Sequence, residues 1–253
     1  MHFDLVDDNL LLEFGQYLRQ VPLQPNTVVF YLSNFREVYN EARKRGYVKQ
    51  GTSPFEAVTI RTEKTRKLAV STEIVRKVAG AEFPDSDKLT CARDMFMFSF
   101  YTRGMSFVDM VYLRQEDIRD GVIRYRRRKT GQLYSVKVIP QVQVILDRYR
   151  ERCSPWVLPV MLDFGADSVT LEPLVYTGTT PEEHRKFEAK IYRRYKYNLT
   201  HYLRFYREMQ ERLNLPAKLS FNVARHTHTD KLRTHKIIIN KKGICIIYIK
   251  ISY

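Results

Sequence analysis

Residues 89–102 read LTCARDMFMFSFYT, apolar on nearly every side at helical spacing. A helix of this kind has no face to give to water. It also falls short of the roughly 18 apolar residues that a membrane span requires. It must therefore be buried at the centre of a domain. The wider stretch Ala92–Leu113 sets Arg103 and Ser106 among these apolar residues. An arginine is rarely buried without a partner, so Arg103 needs an anion or an acid such as Asp109. The segment Ser106–Leu113 either continues the helix or restarts it after Gly104.

Around this stretch the chain divides into helices and one hairpin. Leu5–Arg19 has the spacing of an amphipathic helix. Val21–Asn26 carries two prolines and forms a turn, and Asn26 or Thr27 caps a second helix to about Arg45. Gln50–Lys67 has the composition of a linker, which places a domain boundary near Lys67. Ser71 or Thr72 opens a further helix. Val122–Arg128 and Leu133–Ile139 alternate as the strands of a β-hairpin. Ile123, Tyr125 and Arg127 share one face, and Val122, Arg124, Arg126 and Arg128 the other. Val142–Arg152 is a helix, Trp156–Phe164 a strand or extended segment, and Pro181–Leu213 a long helix rich in Tyr and Arg. Ser220 can cap a last helix from about Phe221. The fold class is mainly α with a small antiparallel β-hairpin or sheet.

Charge narrows the partners. Lys and Arg number 43 against 28 Asp and Glu, a net charge of +15. Such a chain favours a polyanion, because each neutralised phosphate releases condensed counterions. Arg124, Arg126, Arg127, Arg128 and Lys129 crowd onto the hairpin, where rigid strands can aim Lys129. The basic helix end, Arg43 and Lys44, and Arg36 before it add further cations. Arg225 sits in the apolar segment VARHT beside His226; it either holds an anion or is a structural arginine satisfied by carboxylates. The three cysteines have no metal-ligand spacing and indicate reduced thiols in the cytoplasm. The N-terminus has no secretory signal pattern. No metal, cofactor, membrane or small-molecule substrate is indicated.

Three ordered motifs then fit one family: YTRGMSFVDMVYLRQEDI (Tyr101–Ile118), YRRRKTGQ (Tyr125–Gln132) and SFNVARHT (Ser220–Thr227). The chain resembles the tyrosine recombinases, or phage-type integrases, most closely those of Bacteroidetes mobile elements. The resemblance extends to about Arg233. It implies a helical, SAM-like core-binding domain over residues 1–67 and a mixed α/β catalytic domain over residues 68–235, both gripping duplex DNA. It also implies self-association on DNA. In that family a tyrosine attacks a phosphodiester, two arginines neutralise the phosphate, and a hairpin lysine protonates the departing 5′-oxygen. By the resemblance Arg225 is the second arginine and Lys129 the lysine.

Three departures stand out. The first-arginine motif places Ser106 where the arginine belongs, with Arg103 three residues earlier. If the segment is helical, Arg103 lies on the same face and substitutes. The His-x-x-Arg box has Asn222 in place of histidine; an amide can hydrogen-bond a phosphate oxygen but does not take a proton. Beyond Arg225 the family's Leu-Gly-His box and nucleophilic tyrosine are missing. Eight of the last 18 residues are isoleucine, against seven in the preceding 235, which points to out-of-frame translation or a truncated reading frame over residues 236–253. Tyr248 and Tyr253 follow Arg225 by 23 and 28 residues without a preceding Gly-His, so neither is assigned as nucleophile. The expectation is an integrase that binds DNA without cutting it. The alternatives are an active recombinase that recruits Tyr253 or a neighbour's tyrosine, a regulatory or architectural DNA-binding protein, and an RNA-binding protein.

Overall fold

The computed structural model describes residues 5–48, 51, 53–56, 58–63, 68–164, 169–170 and 176–234. Tyr248, Tyr253 and the rest of the segment 236–253 lie outside the described residues. The chain forms two compact units, Met1–Arg66 and Lys67–Tyr253.

The first unit pairs α1 (Asp8–Gln20) with α2 (Pro25–Lys44). Asp7 caps α1 by accepting from the Leu10 amide at 2.8 Å. The start of α2 departs from expectation. Pro25 opens it with Gln24 at the cap, since the proline's fixed φ and missing N–H suit a first turn. Asn26 is thereby freed to pair with the Glu63 backbone, donating at 3.0 Å and accepting at 2.8 Å. Gln50–Lys67 is not simply a linker either. Phe55 is 5 % exposed and Val58 is buried with Leu11, Leu32 and Tyr39. Phe55 meets Phe35 edge-on, their centroids 5.5 Å apart, so its aromatic burial holds this segment onto the helices.

The second unit is built around α4 (Asp87–Tyr101), capped by Ser86. α3 (Thr72–Ala79, capped by Ser71), α6 (Pro140–Tyr149), α7 (Pro181–Arg212) and α8 (Phe221–Thr234) pack against it. Met95, Phe96 and Phe98 are fully buried, as an all-apolar helix demands. One acid, Asp94, is buried among them. Its carboxylate takes Arg93 at 2.8 Å, Tyr149 Oη at 2.8 Å, and Arg148. That satisfies a charge which would otherwise be costly to bury.

The sheet has three antiparallel strands in the order β1 (Ile118–Arg119), β2 (Val122–Arg126), β3 (Leu133–Lys137). Asp120 and Gly121, at φ 53° and 68°, make the tight β1–β2 turn, whose left-handed backbone suits this Asp-Gly pair. β2 is shorter than expected: Arg127 and Arg128 belong to the connecting loop. That loop closes through Arg127 N to Gln132 O and Gly131 N to Arg127 O, both 2.8 Å. The segment after α6 is mostly turn and 3-10 helix (Pro159–Met161) rather than strand, with β4 (Asp163–Phe164) pairing β5 (Val169–Thr170). Thr180 and Glu183 form a capping box that starts α7. The Val223 amide donates to Ser220 Oγ at 3.2 Å, fixing the start of α8. Among the described residues no helix is long and apolar enough to cross a membrane.

Candidate functional site

The site begins where α4 stops. The Thr102 hydroxyl donates to Phe98 O at 2.6 Å, and the Gly104 amide donates to Ser99 O at 2.7 Å. The second bond is the six-to-one closure of a Schellman turn, whose left-handed position favours glycine. Arg103 occupies that position at φ 62°. A side chain there costs on the order of 1 kcal/mol, and such strain gathers where function holds it. The expectation that Arg103 and Ser106 share one helical face is therefore overturned. α4 ends at Tyr101 and α5 (Phe107–Val111) starts afresh, because the apolar run is closed by this turn.

Gly104 then meets α8. Arg225 Nε donates to Gly104 O at 2.8 Å. A Cβ built on Gly104 falls 2.7 Å from Arg225 Cγ and 2.9 Å from its Cα, on a backbone at φ 76°. Only glycine allows both the turn and this approach. Arg225 is half-buried, and among the described residues no carboxylate forms an ion pair with it. Burial, followed by the charge of Arg127, pushes its pKa below the ordinary value, while Asp109 pulls the other way. It still remains a cation in water. Asn222 is exposed one turn before Arg225, and His226 is part-buried beside it.

Ser106 does not stand in for an arginine. Its oxygen caps α5 by accepting from the Asp109 amide at 3.3 Å, and its hydroxyl donates to Asp109 Oδ2. The hydroxyl proton is thus committed within the turn. The other oxygen of Asp109, which is 4 % exposed, accepts from the Arg128 amide at 2.9 Å. One carboxylate thereby ties the α5 start to the hairpin loop. The Ser-x-x-Asp spacing is a helix-start signal that could have pointed to half of this clasp.

The hairpin cations separate by role. Arg124 and Arg126 are exposed on the solvent face of β2, where Arg126 donates to Gly131 O at 2.6 Å. Arg127 turns inward, 5.9 Å from the centroid of Tyr134, which stacks on Tyr125. Burial and the nearby Asp109 charge push Tyr125 up to about 12. Arg128, expected beside Arg124 and Arg126, instead lies 3.7 Å over the Tyr112 ring and 3.5 Å from Glu188. Tyr112 and Glu188 gave no sign in the sequence, since both depend on tertiary packing. Lys129 is exposed in the loop. In the first unit Arg36 and Lys44 are exposed, while Arg43 donates to Gly51 O at 2.5 Å.

The structure thus joins the Thr102–Asp109 turn, the loop after β2 and Arg225 of α8. It seats Arg225 on a fixed backbone turn with Arg127 near enough to feel its charge, an arrangement suited to an oxyanion.

Residues 1–60 match the family of the phage integrase SAM-like domain. No curated protein matches the sequence. Among solved structures, a lambda integrase dimer bound to a COC′ core site is similar over 93 % of this chain and 74 % of that one, with a TM-score of 0.63 at 14 % identity. The Tn1549 transposon integrase in complex with circular intermediate DNA is similar over 95 % and 76 %, with a TM-score of 0.58 at 12 % identity. A lambda integrase tetramer bound to a Holliday junction gives a TM-score of 0.57 at 13 % identity, over 92 % of this chain and 61 % of that one. At such identities the likeness establishes the architecture: the chain has the tyrosine-recombinase fold, with a match to the phage integrase SAM-like domain over its first 60 residues.

Proposed function

We propose that this chain is a site-specific DNA recombinase of the integrase class, encoded by a mobile element, that binds duplex DNA and grips a phosphodiester with Arg103, Lys129 and Arg225. One observation carries the reading. Arg225 is half-buried with its Nε fixed on Gly104 O and a second cation, Arg127, close enough to disfavour its charge. An incoming phosphate offsets both the desolvation and the repulsion through charge-assisted hydrogen bonds to the remaining guanidinium nitrogens. Arg103 stands next to that carbonyl in the strained turn. Lys129 follows Arg128, whose amide Asp109 holds. The DNA-bound integrases of similar fold favour duplex DNA as the partner and self-association on it. Residues 1–67 serve as the core-binding domain and 68–235 as the catalytic one, acting in the cytoplasm.

We further propose that the chain holds this phosphate without cutting. Residues 226–253 contain no Gly-His ahead of a tyrosine, so the nucleophile lacks the context that the family's chemistry requires. A nicked suicide duplex carrying the recognised site tests both parts. The expected result is tight binding, lost on Arg225→Ala and on Lys129→Ala, with no covalent protein–DNA adduct. An adduct trapped on Tyr248 or Tyr253 overturns the second part. Binding unaffected by Arg225→Ala overturns the first.

A further inference from the structure

The long helix α7 touches the site between Glu188 and Tyr202: Glu188 faces Arg128, and Tyr195 and Tyr202 lie 5.7 and 5.4 Å from Phe107. Its packed side carries Phe187, Ile191, Asn198, Tyr202, Phe205 and Met209. At the α-helical repeat, the opposite side carries Arg185, Lys190, Arg193, Lys196, Arg204 and Arg207 within about 140° of arc. All six are exposed. An ordinary solvated face mixes both signs and is laced with pairs four residues apart. Here such pairs occur at the two ends, Lys186 with Glu182 at 2.7 Å and Arg212 with Glu208 at 3.0 Å. Between them residues 190–207 contain no acid. A run of like charge on one helix repels itself and is stabilised by a polyanion. Tyr192 and Tyr197, 56 % and 48 % exposed, stand among these cations. They can donate hydroxyls to phosphate oxygens.

We propose that this face of α7 is a second duplex-DNA surface, adjoining the hairpin and gripping phosphates without reading bases. The inference rests on the DNA-binding reading above and extends it to a region that reading does not use. From Arg185 to Arg207 the stripe runs about 33 Å at 1.5 Å per residue, close to one turn of B-DNA at about 34 Å. The spread of separate cations along this face suits backbone contact, which positions the protein but carries no sequence information.

The test uses the full chain and a labelled DNA duplex three helical turns long. Binding is measured against salt for the wild type and for Arg193→Gln/Lys196→Gln/Arg204→Gln/Arg207→Gln. Each neutralised phosphate contributes about 0.9 to the slope of log affinity on log salt. The four changes together flatten the slope by about 3 to 4, and nuclease protection shrinks on one flank of the footprint. The charge-preserving set Arg193→Lys/Lys196→Arg/Arg204→Lys/Arg207→Lys keeps the wild-type slope. Should circular dichroism show the glutamine set unfolded, Arg193→Gln and Arg207→Gln alone each remove about 0.9. Unchanged slopes overturn the α7 surface. So does a loss confined to an RNA duplex of the same length. A wild type that binds no DNA duplex overturns the recombinase reading itself; a wild type that binds while the variants keep its slope overturns the α7 surface alone.

Discussion

Helices α4 and α7 pack against each other in the second unit, yet they divide their surfaces differently. α4 is wrapped by four helices and buries even a carboxylate, so substitutions at its buried positions between Leu89 and Phe100 are felt as packing or as a broken ion network. α7 buries one side and gives the other to water, with cations spread along it. The two surfaces thus use different residue types to different ends. Phe and Met in α4 set stability; Arg and Lys on α7 set what the surface attracts. The site lies where the two meanings join, at a turn held by the core helix and a loop touched by the surface helix.

The largest test of this contrast is Phe96→Ala. Phe96 is fully buried, and its loss lowers unfolding free energy by about 3–5 kcal/mol in denaturant titrations of the whole chain. A cost below about 1 kcal/mol would mean that α4 is not the packed centre. Next is Asp94→Asn, which strips charge from a carboxylate shared by Arg93, Arg148 and Tyr149. It costs about 2–3 kcal/mol, less than a fully enclosed pair because Arg148 can turn to water. Calorimetry reads it as a lower melting temperature.

A third, smaller effect is pH dependence. Burial pushes the Cys91 thiol on α4 from 9.0 up to about 11, and Cys153 to about 12. The unfolded chain releases these protons first, so stability falls as pH rises through the window from about 9 to 11. Cys91→Ala flattens that fall in melts taken across the window; an identical slope in the variant refutes the assignment. The smallest effect is Leu203→Ala on the exposed side of α7, where the residue is 46 % exposed. Its cost stays within about 0.5 kcal/mol. A loss of 2 kcal/mol or more would show that the α7 face is covered rather than open.

Much of the second unit was legible from the sequence because its signals are local. An apolar helical run, an Asp-Gly turn, alternating strands and a serine before Phe221 each speak within a few residues. The basic hairpin was legible for the same reason. The site's joints were not. Asp109 reaches the Arg128 amide across 19 positions, and Gly104 meets Arg225 across 121. No periodicity encodes such contacts. Whether the helix continued past Arg103 or restarted after Gly104 was open in the sequence, and the restart takes Arg103 off the face of Ser106. Arg128 left its strand face because Tyr112 and Glu188, distant in sequence, offered it a better seat. In the first unit Phe55 was hidden in a stretch whose Gly, Ser and Pro content outweighed one aromatic residue.

The contact between Gly104 and Arg225 also constrains how the gene can drift. A substitution at position 104 must tolerate a left-handed backbone and also clear the arginine's own stem. Asparagine meets the first demand and fails the second. Trimming Arg225 to alanine removes its Cγ but leaves its Cα 2.9 Å and its Cβ 3.0 Å from where a Cβ at 104 would sit. Position 104 is thus held by the path of α8 as well as by the turn. The glycine outlasts its arginine partner: in a lineage where Arg225 has decayed to a smaller residue, Gly104 stays fixed for as long as the fold is kept.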